Sequence, residues 1–222
     1  MQKFDTLSPI SAVLNIPAGR IRFIAADRAD TTVEVLPADA SKSRDVKAAE
    51  QVTVAYGDGV LRIEAPAAKN RILGNCGSLE VTVQLPAGSR VEAKAASAEL
   101  RGVGRLGDVD FDAAQASVKL DETASATLTL MAGDVSVGRL GGPAEISTQK
   151  GDIHVAEAVR GTVALRTEHG QISVGAAAGV SAALDAGTSY GRIHNALKNT
   201  GGTVDLNIHA TTAYGDIAAR SL

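Results

Sequence analysis

The chain of 222 residues predicts an all-β fold, a parallel β-solenoid of about 20-residue coils preceded by a less regular N-terminal β part. Three columns of residues predict it. Gly recurs at 107, 133, 151, 170, 191 and 215, with gaps of 26, 18, 19, 21 and 24. Two residues after each stands Val109, Val135, Ile153, Ile172, Ile193 or Ile217. Three residues before the last four stands Thr148, Thr167, Thr188 or Thr212. Around these columns apolar residues alternate with polar ones, as in Ile153-His154-Val155 and Ile172-Ser173-Val174. Period 2 with β-branched residues on the inward side is a strand signal and argues against helix.

The N-terminal part is read as diverged strands. ISAVLNIPAGRIRFIAAD and SLEVTVQLPAGSRVEAKA share an aliphatic-Pro-Ala-Gly turn at Ile16–Gly19 and Leu85–Gly88, which suggests two copies of one arc. TTVEVLP, QVTVAYGDG and VLRIEAP read as further strands, and SRDVKAAEQ as one short helix beside the stack. AAKNRILGNCGS, residues 67–78, is a loop by its Gly, Asn and Ser content. No linker divides the chain, so residues 1–222 are expected to form one domain, irregular over 1–99 and regular over 100–222.

Each later repeat supplies two strands and a corner. Seven and five residues before the Gly stand Ala144 and Ile146, Val163 and Leu165, and Leu184 and Ala186, an inward pair for an upstream strand. The Gly takes the turn that a Cβ would strain. The Thr column is expected to stack from coil to coil, hydroxyl beside hydroxyl. A single coil cannot bury its own apolar face, but coils stacked about 4.8 Å apart build a continuous core.

Composition narrows the function. A formal net charge of −3 with scattered Lys and Arg gives no footprint for nucleic acid or an anionic membrane surface. Aromatics are 3% of the chain and Trp is absent, which removes most stacking platforms for bases or sugars. The lone Cys76 excludes an internal disulfide and fits a reducing compartment. MQKFDTLSPISAV has no apolar leader core and no run of about 18 apolar residues occurs, so a soluble, cytoplasmic protein without direct membrane insertion is expected.

Chemical motifs are sparse. GVGRLG, Gly102 to Gly107, fits a dinucleotide fingerprint in letters only, because DVDFD after it reads as a strand where the fingerprint needs a helix. Asp108, Asp134, Asp152 and Asp216 follow four of the repeat glycines, with Gln171 and Arg192 breaking the column. They are read as turn residues bonding their own backbone rather than as a calcium ladder, whose GGxGxDx spacing is missing. His154 and His194 share a repeat position but lie two coils apart in the sequence, too far to share an ion. No catalytic, cofactor-binding or metal residue is assigned. The position just before the repeat Gly holds Lys150, His169, Tyr190 and Tyr214. It is read either as a solvent-facing stripe for a protein partner or as cover for the corner of the stack.

The run GDVSVGRLGGPAEISTQKGDIHVAEAVRGTVALRTEHGQISV resembles the β-strand repeat family of "putative adhesins", the toast-rack domain, and the resemblance extends from VLNIPAG to YGDIAARSL. It implies a β-solenoid fold and no established enzymatic activity. The reading is therefore a non-catalytic binding or scaffolding protein. A carbohydrate-active β-helix enzyme built on outward carboxylates, or a filament-forming scaffold, stands as the alternative. The chain still reads strand, corner, strand at TVDLNIHATTAYGDIAARSL. That makes the last coil the expected open end of the stack, covered by a second subunit in a homodimer through the C-terminal coil.

Overall fold

The structure, a computed structural model, describes residues 1–66, 77–199 and 203–222. Cys76 and nearly all of the loop read at 67–78 lie outside the described residues. The chain runs through β1 (Gln2–Asp5), β2 (Ser11–Ala26), β3 (Asp30–Pro37), α1 (Ser43–Glu50), β4 (Thr53–Gly57), β5 (Val60–Glu64), β6 (Leu79–Pro86) and β7 (Arg90–Ala132). Nine shorter strands follow: β8 (Val135–Leu140), β9 (Ala144–Lys150), β10 (Ile153–Ala158), β11 (Gly161–His169), β12 (Ile172–Ala176), β13 (Ala182–Tyr190), β14 (Ile193–Ala196), β15 (Leu206–Tyr214) and β16 (Ile217–Ser221). All sixteen belong to one hydrogen-bonded sheet system, parallel throughout the repeats.

The N-terminal part is built on β2, which pairs in parallel with β5, β6 and β7. Antiparallel strands finish this end, β3 on β6, β1 on β3 and β4 on β5. Helix α1 lies where the sequence put it, and its Ala48 and Ala49 pack against the core. Asp45 is buried and accepts the Ser78 N–H at 3.0 Å, which ties the helix to the start of β6.

The two Pro-Ala-Gly turns are not copies of one arc. Ile16 pairs with Ala95, whereas Leu85 and Pro86 pair with Ala25 and Ala26, so the turns occupy different corners of the coil. Identical letters arise because either corner favours a fixed φ followed by a Gly. Gly102 to Gly107 lie inside β7, with Gly104 at φ 79° beneath the Ala25 carbonyl, so no phosphate-binding turn into a helix exists there.

In the repeats the period-2 reading holds. Val135, Ile153, Ile172 and Ile217 are buried and aligned in register, with the outward Ser136, His154, Ser173 and Ala218 beside them. The stacking order is not the chain order. Strand β15 pairs with β11 on one side and β13 on the other, and β16 likewise lies between β12 and β14. The C-terminal coil 206–221 is thus inserted beneath coil 182–196, which becomes the outermost layer. The expectation that the C-terminal coil is the open end is therefore wrong, and with it the homodimer surface placed there. Its inward residues Leu206, Ile208, Ala210, Ile217 and Ala219 are all buried.

The Thr column stacks as expected but bonds differently. Thr167 Oγ1 donates to the Gly151 carbonyl at 3.0 Å, Thr212 to Gly170 at 3.1 Å and Thr188 to Gly215 at 3.1 Å. Each hydroxyl thus bonds the corner Gly of the neighbouring coil rather than the next hydroxyl. With Cβ removed, that carbonyl comes close enough to receive it. Thr167→Val should cost about 1 kcal/mol by leaving a half-buried carbonyl unpaired, and Thr167→Lys clearly more, by burying a charge. Equal urea midpoints for wild type and both variants would contradict this register.

Candidate functional site

Inward alternation ends at the Thr column. The next inward position, just before the Gly, therefore projects beyond the core at the corner, where Lys150, His169, Tyr190 and Tyr214 are all exposed. Register sets their neighbours: Lys150 beside His169, His169 beside Tyr214, and Tyr214 beside Tyr190. The stripe read from the sequence therefore exists, but its order in space is Lys150, His169, Tyr214, Tyr190.

Parallel, in-register strands turn that stripe into a ladder of rings. His169 and Tyr214 stack with centroids 4.9 Å apart and planes 8° apart, and Tyr214 and Tyr190 with centroids 4.9 Å apart and planes 3° apart. The ring spacing is the inter-strand spacing of the sheet, so backbone pairing holds the rings in place. Tyr214, in the middle, has both faces covered and offers its edge and hydroxyl. Tyr190, 68% exposed at the end of the stack, keeps one free face. Beside the ladder runs a groove of about 340 Å³ lined by Arg166, Glu168, Ser189, Thr211 and Ala213.

The aspartates after the Gly form a second ladder. Asp134 accepts the Asp152 N–H at 2.9 Å, Asp152 accepts the Gln171 N–H at 2.7 Å, and Asp216 accepts the Arg192 N–H at 2.9 Å. Each carboxylate bonds the next coil, not its own turn as the sequence suggested. Arg192 interrupts the column because its coil is the outermost, and its guanidinium folds back on Asp216 at 2.8 Å.

Hydrogen bonds from the Arg192 side chain and backbone hold the Asp216 carboxyl below its ordinary 3.8. At the other end of the chain, Arg28 and then Lys3 lower Asp30 from 3.8 to about 2. Both folded values are depressed. Their stabilising contribution is therefore complete above 3.8 and is lost as pH falls through the lowered values, for Asp30 toward about 2. Carboxyl carbon shifts followed by NMR should show both groups titrating below the ordinary range, and Arg192→Gln should return Asp216 toward 3.8. An unmoved Asp216 midpoint would refute the pairing.

The histidines are further apart than chain order implied. His154, Ser173, Ala218 and His194 occupy consecutive coils, which separates the two histidines by three steps, about 14 Å. His209 instead meets Asp185 at 3.3 Å. Among the described residues no three His, Cys, Asp or Glu side chains converge as a metal site. No described helix is long and apolar enough to cross a membrane.

A recess that the sequence reading missed, about 950 Å³, runs along the opposite corner past Arg105, Glu122, Ser125, Arg160 and Asp205. Part of its polar lining is already engaged. Ser125 donates to Asp108 at 2.6 Å and Arg160 Nε to the Gly141 carbonyl at 3.2 Å. Gly141, Gly142 and Gly161 were the available signal, small residues bunched where one corner must stay thin.

Fold and surface together define a stacked β-repeat protein with a rigid, ring-bearing flank. The chain belongs to the family described as Toastrack DUF4097, whose profile matches residues 13–221. No curated protein matches it. Among solved structures it is similar to a "putative adhesin" of Parabacteroides distasonis ATCC 8503, at 14% identity over 98% of this chain and 95% of that one, with a TM-score of 0.48. A "putative adhesin" of Bacteroides fragilis NCTC 9343 gives 13% identity, the same coverage and a TM-score of 0.47. A "putative lipid binding protein" of Parabacteroides distasonis ATCC 8503 gives 12%, again with the same coverage, and 0.44.

Proposed function

We propose that this chain is a non-catalytic binding protein that presents the ladder Lys150, His169, Tyr214 and Tyr190 to a protein partner. The observation that carries the reading is the exposed stack of three rings at 4.9 Å spacing. Rings held by strand register give up little conformational freedom on binding, and tyrosine rings with their hydroxyls offer both apolar and polar contacts. The geometry favours a protein over a sugar. A saccharide platform uses open ring faces, and in this stack the middle ring shows only its edge and the free face of Tyr190 lies at the end of the stack rather than on the flank.

Affinity capture from extract of the source cells tests this, with wild type and a Tyr190→Ser/Tyr214→Ser double variant as baits. A protein retained by wild type and lost with the variant, at unchanged melting temperature, supports the reading. Recovery by both baits, or by neither, overturns it.

A further inference from the structure

Coil 182–196 leaves the stack open. Among the described residues strand β13 bonds only β15 and β14 only β16, whereas the coil beneath is paired on both sides. Ile193 is 46% exposed, while Ile217 directly beneath it is 0% exposed. All four β14 residues are exposed, and Leu184 and Ala186 are only half-buried. The strand ALDAGTSY carries no Lys or Pro of the kind that blunts a free edge. The opposite end of the molecule is finished by antiparallel strands and by α1.

We propose that a second copy of this chain covers the open coil in a closed two-fold dimer. Charge argues for self-pairing. The β13 arm carries Asp185, with its side chain 84% exposed and His209 at 3.3 Å, while the β14 arm carries His194 and continues to Lys198, the Arg192 at its start being already paired with Asp216. A two-fold axis in the plane of the coil, along the bisector of the Gly191 corner, lays β13 of each copy antiparallel on β14 of the other. That operation places an anionic arm over a cationic arm twice, satisfies both free edges, covers Ile193 and gives the open face of Tyr190 a neighbour. With one open end and one finished end, stacking stops at two copies instead of running on as a filament. This surface is the end of the stack, distinct from the ring edges on its flank.

Sedimentation of the intact chain at micromolar concentration tests the proposal. A dimer that weakens with added salt is expected. Ile193→Lys should raise its dissociation constant at least about 30-fold, and Asp185→Lys should weaken it as well, both with unchanged far-UV circular dichroism. Ser173→Lys, on the outward face of an inner coil, should leave the dimer intact. A monomer at every concentration, a dimer indifferent to both end-coil variants, or polydisperse large species would each overturn it.

Discussion

Gly151→Ala should remove about 4 kcal/mol or more of stability, leaving little folded protein at ambient temperature. The residue sits at φ 145°, and a Cβ there would fall 2.1 Å from the Gly133 carbonyl oxygen and 2.5 Å from its carbon. Two backbones cannot both keep their places at that distance. Relieving the clash requires the coils to part, which breaks the pairing of Ile153 with Val135 on one side of the corner and that of Lys150 with Ala132 on the other. Gly187 is the matched control. A Cβ there meets nothing within 4 Å, so Gly187→Ala should be neutral or stabilising by about 0.4–1 kcal/mol through the unfolded chain. Urea midpoints measure both, and similar midpoints for the two variants would show that the corners do not pack this closely.

Ile217→Lys should unfold the C-terminal repeats, whereas Ile193→Lys at the equivalent repeat position should leave the monomer folded. Ile217 is fully buried between Ile172 and Ile193, so a lysine there must place its ammonium in an apolar layer, at a cost of several kcal/mol. Among the described residues no strand pairs above Ile193, which is 46% exposed, so a lysine there can reach water. Chain order predicts the reverse, since it makes residue 217 the exposed one. Thermal melts by circular dichroism decide, and a greater loss at 193 than at 217 would reject the inserted position of coil 206–221.

Part of this reversal was legible. In the inward column four residues after the Gly, Asn195 stands where Val137, Val155, Val174 and Ala219 stand in other coils, and all four of those are buried. A polar residue in a core column and Arg192 in an Asp column together mark a coil with one face in water. The ring stripe was also legible as a set of four positions. That Tyr214, not Tyr190, lies against His169 was not, because it depends on which coil neighbours which.

By itself the sequence determined the strands, the short helix, the family and the corner column from Gly133 to Gly215, but it added Gly107 to that column, whereas Ala116 stacks on Gly133 and Gly107 lies at the opposite corner. Those features rest on local requirements: alternation selects the buried face, a corner needs Gly where a neighbouring carbonyl must approach, and α1 needs only a run of helix-forming residues. Tertiary structure alone decided the partners of the Thr and Asp ladders and the order of the rings, and it fixed the stacking order and the open end, at which the sequence only hinted through Asn195 and Arg192. The physical reason is that every coil presents nearly the same edge to a neighbour about 4.8 Å away, so local chemistry accepts several neighbours equally. Burial of the whole core selects among them, and it puts coil 206–221, whose inward residues are all apolar or Thr, inside.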